Sequence, residues 1–179
     1  LDHNDPDPEV FYYIGCMDLK YRRDSVRATM ALLEKLGIPY ATKLQSRECC
    51  AGPVNKVGYR SVAKKVAQRN VDLLKDSGAD TILTTCPGCL QSLKVTYEED
   101  LDAEIKRTDI VHAIDFFKKK IDEGELKLTE DVNKSISYHD PCILSRTSSK
   151  VRSLDATREL LDAIPGLTVK YPYLKGHET

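Results

Sequence analysis

The sequence predicts a doubly wound α/β domain built on a parallel sheet. Short apolar runs alternate with longer stretches of helical spacing along the chain. Alternation of that kind joins parallel strands through helices rather than antiparallel strands through hairpins. The 179 residues suffice for one such domain with a substantial core, but not for two full ones.

The opening "LDHNDPDPEV" is acidic and proline-rich and reads as a linker through residue 9. "EVFYYIGC" is apolar and aromatic, and reads as a first strand ending at Gly15-Cys16. Ser25 to Leu36 carries Val26, Met30, Leu33 and Leu36 at helical spacing and stops at Gly37. "IPYATKL" gives a second strand leading into Cys49-Cys50. From Tyr59 to Lys75, Val62, Val66, Val71 and Leu74 line one helical face, closed by "DSG" at 76–78. "DTILTT" is a third strand, and a helix from Cys86-Pro87-Gly88-Cys89 runs to Tyr97. Residues 98–109 are charged and loop-like, and "IVHAIDFFKKKI" at 110–121 is amphipathic and helical, ending at Gly124. "KSISYHDPC" is a fourth strand with Cys142 just past it. "LDATRELLDAI" at 154–164 is a helix stopped by "PG", and "LTVKY" opens a fifth strand. The expectation is a Rossmann-like sheet with helices on both faces.

Composition excludes several function classes. The net charge of −1 gives no electrostatic case for nucleic acid or an anionic membrane. Lys118-Lys119-Lys120 reads as a solvated helix face. No apolar stretch approaches the roughly 20 residues of a membrane span, and the N-terminus does not read as a secretory signal. A cytoplasmic setting is expected, where six cysteines point to metal or redox chemistry rather than a disulfide framework.

The cysteines fall in a pattern. Cys16, Cys49-Cys50, Cys86 and Cys142 each follow the C-terminal end of a predicted strand. In a parallel sheet those ends share one edge, where open α/β folds place their ligands. A structural zinc ion takes four tetrahedral ligands, commonly in two short-spaced pairs. Adjacent cysteines diverge in an extended segment, so Cys49-Cys50 suits a polynuclear iron–sulfur group better than one ion. A thioredoxin-like reading of "TTCPGC" uses Cys86 and Cys89 and leaves Cys16, Cys49 and Cys50 idle.

The full pattern is Cys16, 32 residues, Cys49-Cys50, 35 residues, then Cys86-x-x-Cys89, with "ECCAG", "TTCPGC" and "YHDPC" around it. It resembles the CCG cysteine-rich motif of the heterodisulfide reductase family, which is related to the iron–sulfur subunits of glycolate and lactate oxidation. The resemblance implies that Cys16, Cys49, Cys50, Cys86 and Cys89 hold a non-cubane 4Fe–4S cluster. Such clusters transfer electrons, and in heterodisulfide reductases they cleave a disulfide. It also implies other iron–sulfur, flavin or membrane cytochrome subunits as partners, with a disulfide or quinone-linked substrate and membrane association only through those subunits. "YHDPC" then opens a second repeat whose Cys-Cys would fall beyond Thr179. The expected organisation is a complete cysteine-rich unit over 10–137 and the start of a second over 138–179. No Cys-x-x-Cys-x-x-Cys-x-x-x-Cys run is present to supply electrons.

Cys49, Cys50 and His139 are the candidate catalytic residues. His139 beside Asp140 suits proton donation to a leaving thiolate, against a plain loop-holding role. His112 is ambiguous, and His3 and His177 read as solvated. Gly15, Gly52 and Gly88 permit close backbone approach to the centre. Arg47 and Lys43 offset its charge or lie on the surface. Three readings stand: disulfide reduction at the cluster, an electron-relay module, and a structural zinc domain.

Overall fold

Val10 to Ile14 are five consecutive apolar residues, each 2% exposed or less. Such an unbroken buried run, with no polar alternation, is what a central parallel strand requires. The computed structural model describes residues 3–42, 49–105, 108–153 and 155–172. These fall in two units, Leu1–Ala113 and Ile114–Thr179.

In the first unit the strands are β1 (His3–Asn4), β2 (Val10–Tyr12), β3 (Tyr40–Thr42), β4 (Thr81–Thr84) and β5 (Asp109–His112), in the sheet order β1-β3-β2-β4-β5. Strands β3, β2, β4 and β5 are mutually parallel, as the sequence predicts for the first three; β5 is not among the predicted strands. Two residues of the stretch read as a linker, His3 and Asn4, pair antiparallel with Thr42 and Ala41. His3 stacks on Tyr40, ring centroids 4.1 Å apart, so it is held against the sheet.

Helices α1 (Cys16–Tyr21) and α2 (Arg23–Lys35) join β2 to β3. Helix α2 buries Val26, Thr29 and Leu33 on one stripe. Gly37, at φ 66°, closes it where the sequence places the stop, in a backbone region that glycine enters freely. Helices α3 (Gly52–Lys56) and α4 (Arg60–Asp76) lead to β4. The buried stripe of α4 is Ala63, Ala67, Asn70, Val71 and Leu74. That corrects the expected face: Val62 is 49% exposed, and the small alanines sit inward in its place.

After β4 come α5 (Pro87–Gln91), a π-helical turn (Ser92–Thr96) and α6 (Tyr97–Glu99). The sequence predicts this helix, but without the π turn. It also predicts a helix over 110–121, and here the structure differs. Residues Ile110, Val111 and His112 belong to β5 and pair with Ile82, Leu83 and Thr84, and the helix α7 (Ala113–Asp122) begins only at Ala113. Two β-branched residues followed by an amphipathic run read equally as a helix start, and periodicity alone does not separate the two.

The second unit holds most of α7, a two-stranded parallel sheet of β6 (Lys134–Ser137) and β7 (Leu167–Lys170), and between them α8 (Cys142–Arg146) and α9 (Ala156–Asp162). Asp140 is buried and paired with Arg158. Both units therefore contain a strand, a helix whose first residue is a cysteine, a second helix and a parallel neighbouring strand.

Candidate metal centre

From β2 the chain crosses to β3 on one side, and from β4 to β5 on the other. The C-terminal ends of β2 and β4 thus flank a topological switch point, the crevice where such sheets bind ligands. Cys16 follows β2 as the first residue of α1, and Cys86 precedes Pro87 at the start of α5, with Cys89 inside it. Cys49-Cys50 returns after β3, just ahead of α3.

Two glycines show how closely these loops meet. A Cβ on Gly15 would lie 3.0 Å from the Cβ of Cys86 and 3.3 Å from Cys89 Sγ. A Cβ on Gly52 would lie 2.2 Å from Ser92 Oγ and 3.8 Å from Cys50 Sγ. The sequence points to both positions, and at both there is no room for a side chain without displacement. Ser92 itself donates to the Gly88 carbonyl at 2.9 Å.

Four thiols form a contacting row. Cys50 meets Cys49 and Cys89, and Cys89 meets Cys86. Contact with the Cys49 and Cys89 thiols, then with the Ser92 hydroxyl and the Gly52 N–H, holds Cys50 well below the usual thiol range. Cys86 is lowered to about 7, chiefly by the Cys89 thiol and then by the N–H groups of Cys89 and Gly88, against the effect of burial. In return Cys49 and Cys89 are pushed up, each by its donation to a neighbouring sulfur and by burial. Buried thiols in contact cannot all ionise in low dielectric, so a charge on one sulfur disfavours charge on its neighbours. Cys50 and Cys89 are buried, Cys49 and Cys86 half-buried, and Cys16 exposed at the rim, where its charge acts on Cys49.

Behind the row lie groups to which the sequence does not point. Ala51 has φ 59°, a left-handed conformation that non-glycine residues seldom adopt. It turns the chain so that the Ala51 N–H reaches Cys49 sulfur while the Gly52 N–H reaches Cys50. Asn70 on α4 donates to the Cys49 carbonyl at 2.9 Å and to Tyr97 Oη at 2.8 Å. Tyr97 and Tyr13 are fully buried, and the charges of Cys50, Cys89 and Cys49 bear on both. On the Cys86 side, Thr85 Oγ1 donates to buried Asp18 at 2.7 Å and lies 3.1 Å from Tyr12 Oη. His112 Nε2 lies 3.1 Å from the Thr85 carbonyl. The sequence signal for Asn70 is an amide inside an otherwise apolar helical stripe. The tyrosines give none, being ordinary core residues by pattern.

His139 and Cys142 belong to the second unit and are exposed, Cys142 as the first residue of α8. Lys43, Arg47 and His177 lie outside the described residues.

The donor set discriminates between metal groups. Among the described residues no three His, Cys, Asp or Glu side chains gather so as to hold one ion. A row of four contacting thiols with a fifth at its rim fits an extended group, whose separate metal atoms take neighbouring thiolates. The residues present therefore fit an iron–sulfur cluster.

Comparison with known proteins places the five cysteines within a family match. The family model of the CCG cysteine-rich domain matches residues 10–94, which include all five cysteines of the first unit. The chain is similar to the D subunit of dihydromethanophenazine:CoB–CoM heterodisulfide reductase from Methanosarcina mazei, 32% identical over 89% of this chain and 39% of that protein. It also resembles a subunit of the CoM/CoB fumarate reductase of Methanothermobacter marburgensis, 30% identical over 90% of this chain and 30% of that protein. A third relative is the EtfAB:quinone oxidoreductase of Syntrophomonas wolfei, 24% identical over 90% of this chain and 22% of that one. The chain thus spans about two-fifths or less of the length of these relatives. Residues 10–94 belong to the CCG family of cysteine-rich domains.

Proposed function

We propose that the chain is an iron–sulfur redox module of a heterodisulfide reductase-like oxidoreductase, with a non-cubane 4Fe–4S cluster held by Cys16, Cys49, Cys50, Cys86 and Cys89. The observation that carries this reading is the contacting row of thiols at the switch point. A bound cluster would supply one-electron chemistry and an iron able to engage a substrate sulfur. The chain's own residues supply the rest. The backbone N–H groups of Ala51, Gly52, Gly88 and Cys89 donate to the sulfurs and stabilise thiolate charge. Burial of Cys50 and Cys89 excludes water from the inner side, while exposed Cys16 leaves the outer side open to a partner or substrate. His139 would donate a proton to the leaving thiolate, a part of the reading tested separately with His139→Gln.

A second reading keeps the cluster and drops the disulfide: electrons pass through to a flavin or quinone-linked partner. The fumarate reductase and quinone oxidoreductase relatives favour it. In either reading electrons arrive from other iron–sulfur, flavin or cytochrome subunits. The proposed setting is cytoplasmic, with membrane contact through those subunits; no described helix is long and apolar enough to cross a membrane.

The test is iron, acid-labile sulfide and zinc analysis on chain prepared without oxygen. About four iron and four sulfide per chain, lost with Cys49→Ser or Cys50→Ser and kept with Cys142→Ser, supports the reading. Zinc without sulfide refutes it. A disulfide that alters the electron paramagnetic resonance signal separates reduction from relay.

A further inference from the structure

Tyr97 owes its position to an irregularity in the helix that carries Cys89. Residues advance by about 100° each around an α-helix. Tyr97, eight positions after Cys89, would then point about 80° away from it. The π turn over Ser92–Thr96 takes up one residue and brings Tyr97 to within about 20° of the Cys89 direction. The side chain is fully buried, so its hydroxyl must find partners within the protein.

Asn70 fixes how that hydroxyl is used. Its amide is buried at 1% exposure in the apolar stripe of α4, and its two N–H groups are both spent. One goes to the Cys49 carbonyl at 2.9 Å and the other to Tyr97 Oη at 2.8 Å. Since an amide N–H can only donate, Tyr97 Oη is the acceptor in that bond. The phenol keeps its own proton for a further acceptor, and the same amide ties it to the backbone of the Cys49-Cys50 pair.

We propose that Asn70 and Tyr97 act as a positioning pair, with Asn70 orienting the Tyr97 hydroxyl to donate a hydrogen bond to the sulfur group held by Cys49, Cys50 and Cys89, thereby setting its reduction potential. The inference rests on the iron–sulfur reading above. Hydrogen bonds to cluster sulfur stabilise the more negative, reduced state. Removing the donor lowers the potential. The proton stays on the tyrosine throughout, and no bond to it is made or broken.

The experiment is a potentiometric titration, followed by electron paramagnetic resonance, of anaerobic wild type, Tyr97→Phe and Tyr40→Phe. Tyr40 is a buried tyrosine whose hydroxyl donates to Glu34 at 2.9 Å, so its variant reports the cost of losing a buried hydroxyl elsewhere. Tyr97→Phe is expected to keep its iron and shift the redox equilibrium about tenfold toward the oxidised state, about 59 mV for a one-electron couple. Tyr40→Phe is expected to lose stability with no shift in potential. Exchange into deuterium oxide should reveal several deuterons coupled to the cluster in wild type, those of the backbone N–H groups included, with one of these couplings missing from Tyr97→Phe. Iron retained with unchanged potential and unchanged coupling in Tyr97→Phe overturns this inference alone. Wild type without iron or sulfide overturns the iron–sulfur reading and this inference with it. Should Tyr97→Phe shed its iron, Asn70→Ser is titrated instead, leaving the phenol present but unheld. An unchanged potential and line shape there also overturn the inference.

Discussion

Replacing Gly52 with alanine places a methyl 2.2 Å from the Ser92 hydroxyl, over an ångström inside an ordinary contact. Backbone at Gly52 is helical and unstrained, so the added carbon itself costs little. The conflict lies with the hydroxyl, which must turn out of a buried position where it donates to the Gly88 carbonyl and touches Cys50. Overpacking and a displaced buried hydroxyl together give a loss of about 2 kcal/mol. Ser92→Ala alone removes one hydrogen bond, for about 1 kcal/mol. In the double variant the offending oxygen is gone, and the new methyl meets the Ser92 Cβ at 3.5 Å, an ordinary contact. The double variant should therefore be no less stable than Ser92→Ala, giving a coupling of about 2 kcal/mol. Urea unfolding of the reduced, metal-free protein measures all four corners of the cycle. Losses that simply add would refute the packing described between α3 and the turn after Cys89.

Leu33→Ala, at a site fully buried on α2, should cost about 3 kcal/mol in the same unfolding assay without altering iron content. Arg158→Ala leaves the Asp140 carboxylate buried without its guanidinium and should destabilise the second unit by about 3 kcal/mol, read as faster hydrogen exchange in β6 and β7. Lys64→Ala breaks an ion pair to Asp102 whose partners are more than half exposed, so stability should change by less than about 1 kcal/mol. In metal-free protein, maleimide should label Cys16 and Cys142 rapidly, and Cys50 and Cys89 only on unfolding, as mass spectrometry of the digested chain would show.

Legibility follows the physical source of each feature. The strand from Val10 shows itself through an unbroken apolar run and the strand at Thr81 through Ile82 and Leu83 between β-branched threonines, and the cysteines beyond them fall where the parallel sheet directs them. Ile110 to His112 reads as helix because a buried edge-to-helix junction carries no break in apolar spacing. On α4 the valines draw attention, yet alanines face inward, because close helix packing selects for small size. The meetings of Cys49-Cys50 with Cys86 and Cys89 are legible from the placement of these cysteines after the strands. Asn70 and Tyr97 are not, since they meet only through the fold and through a π turn that no residue type encodes. Ala51 likewise hides its left-handed backbone behind an ordinary side chain.

The unequal burial of the cysteines has a kinetic corollary. With Cys50 and Cys89 buried, Cys49 and Cys86 half-buried and Cys16 exposed, the row of thiols is most accessible at its Cys16 end among the described residues. On the reading proposed above, dioxygen and a docking partner would compete for that exposed end. A docked partner would then act as a shutter, protecting the group from oxygen while it delivers charge. Turnover on such a centre is a matter of taking turns, and the damage rate in air should fall in proportion to the time a partner stays bound.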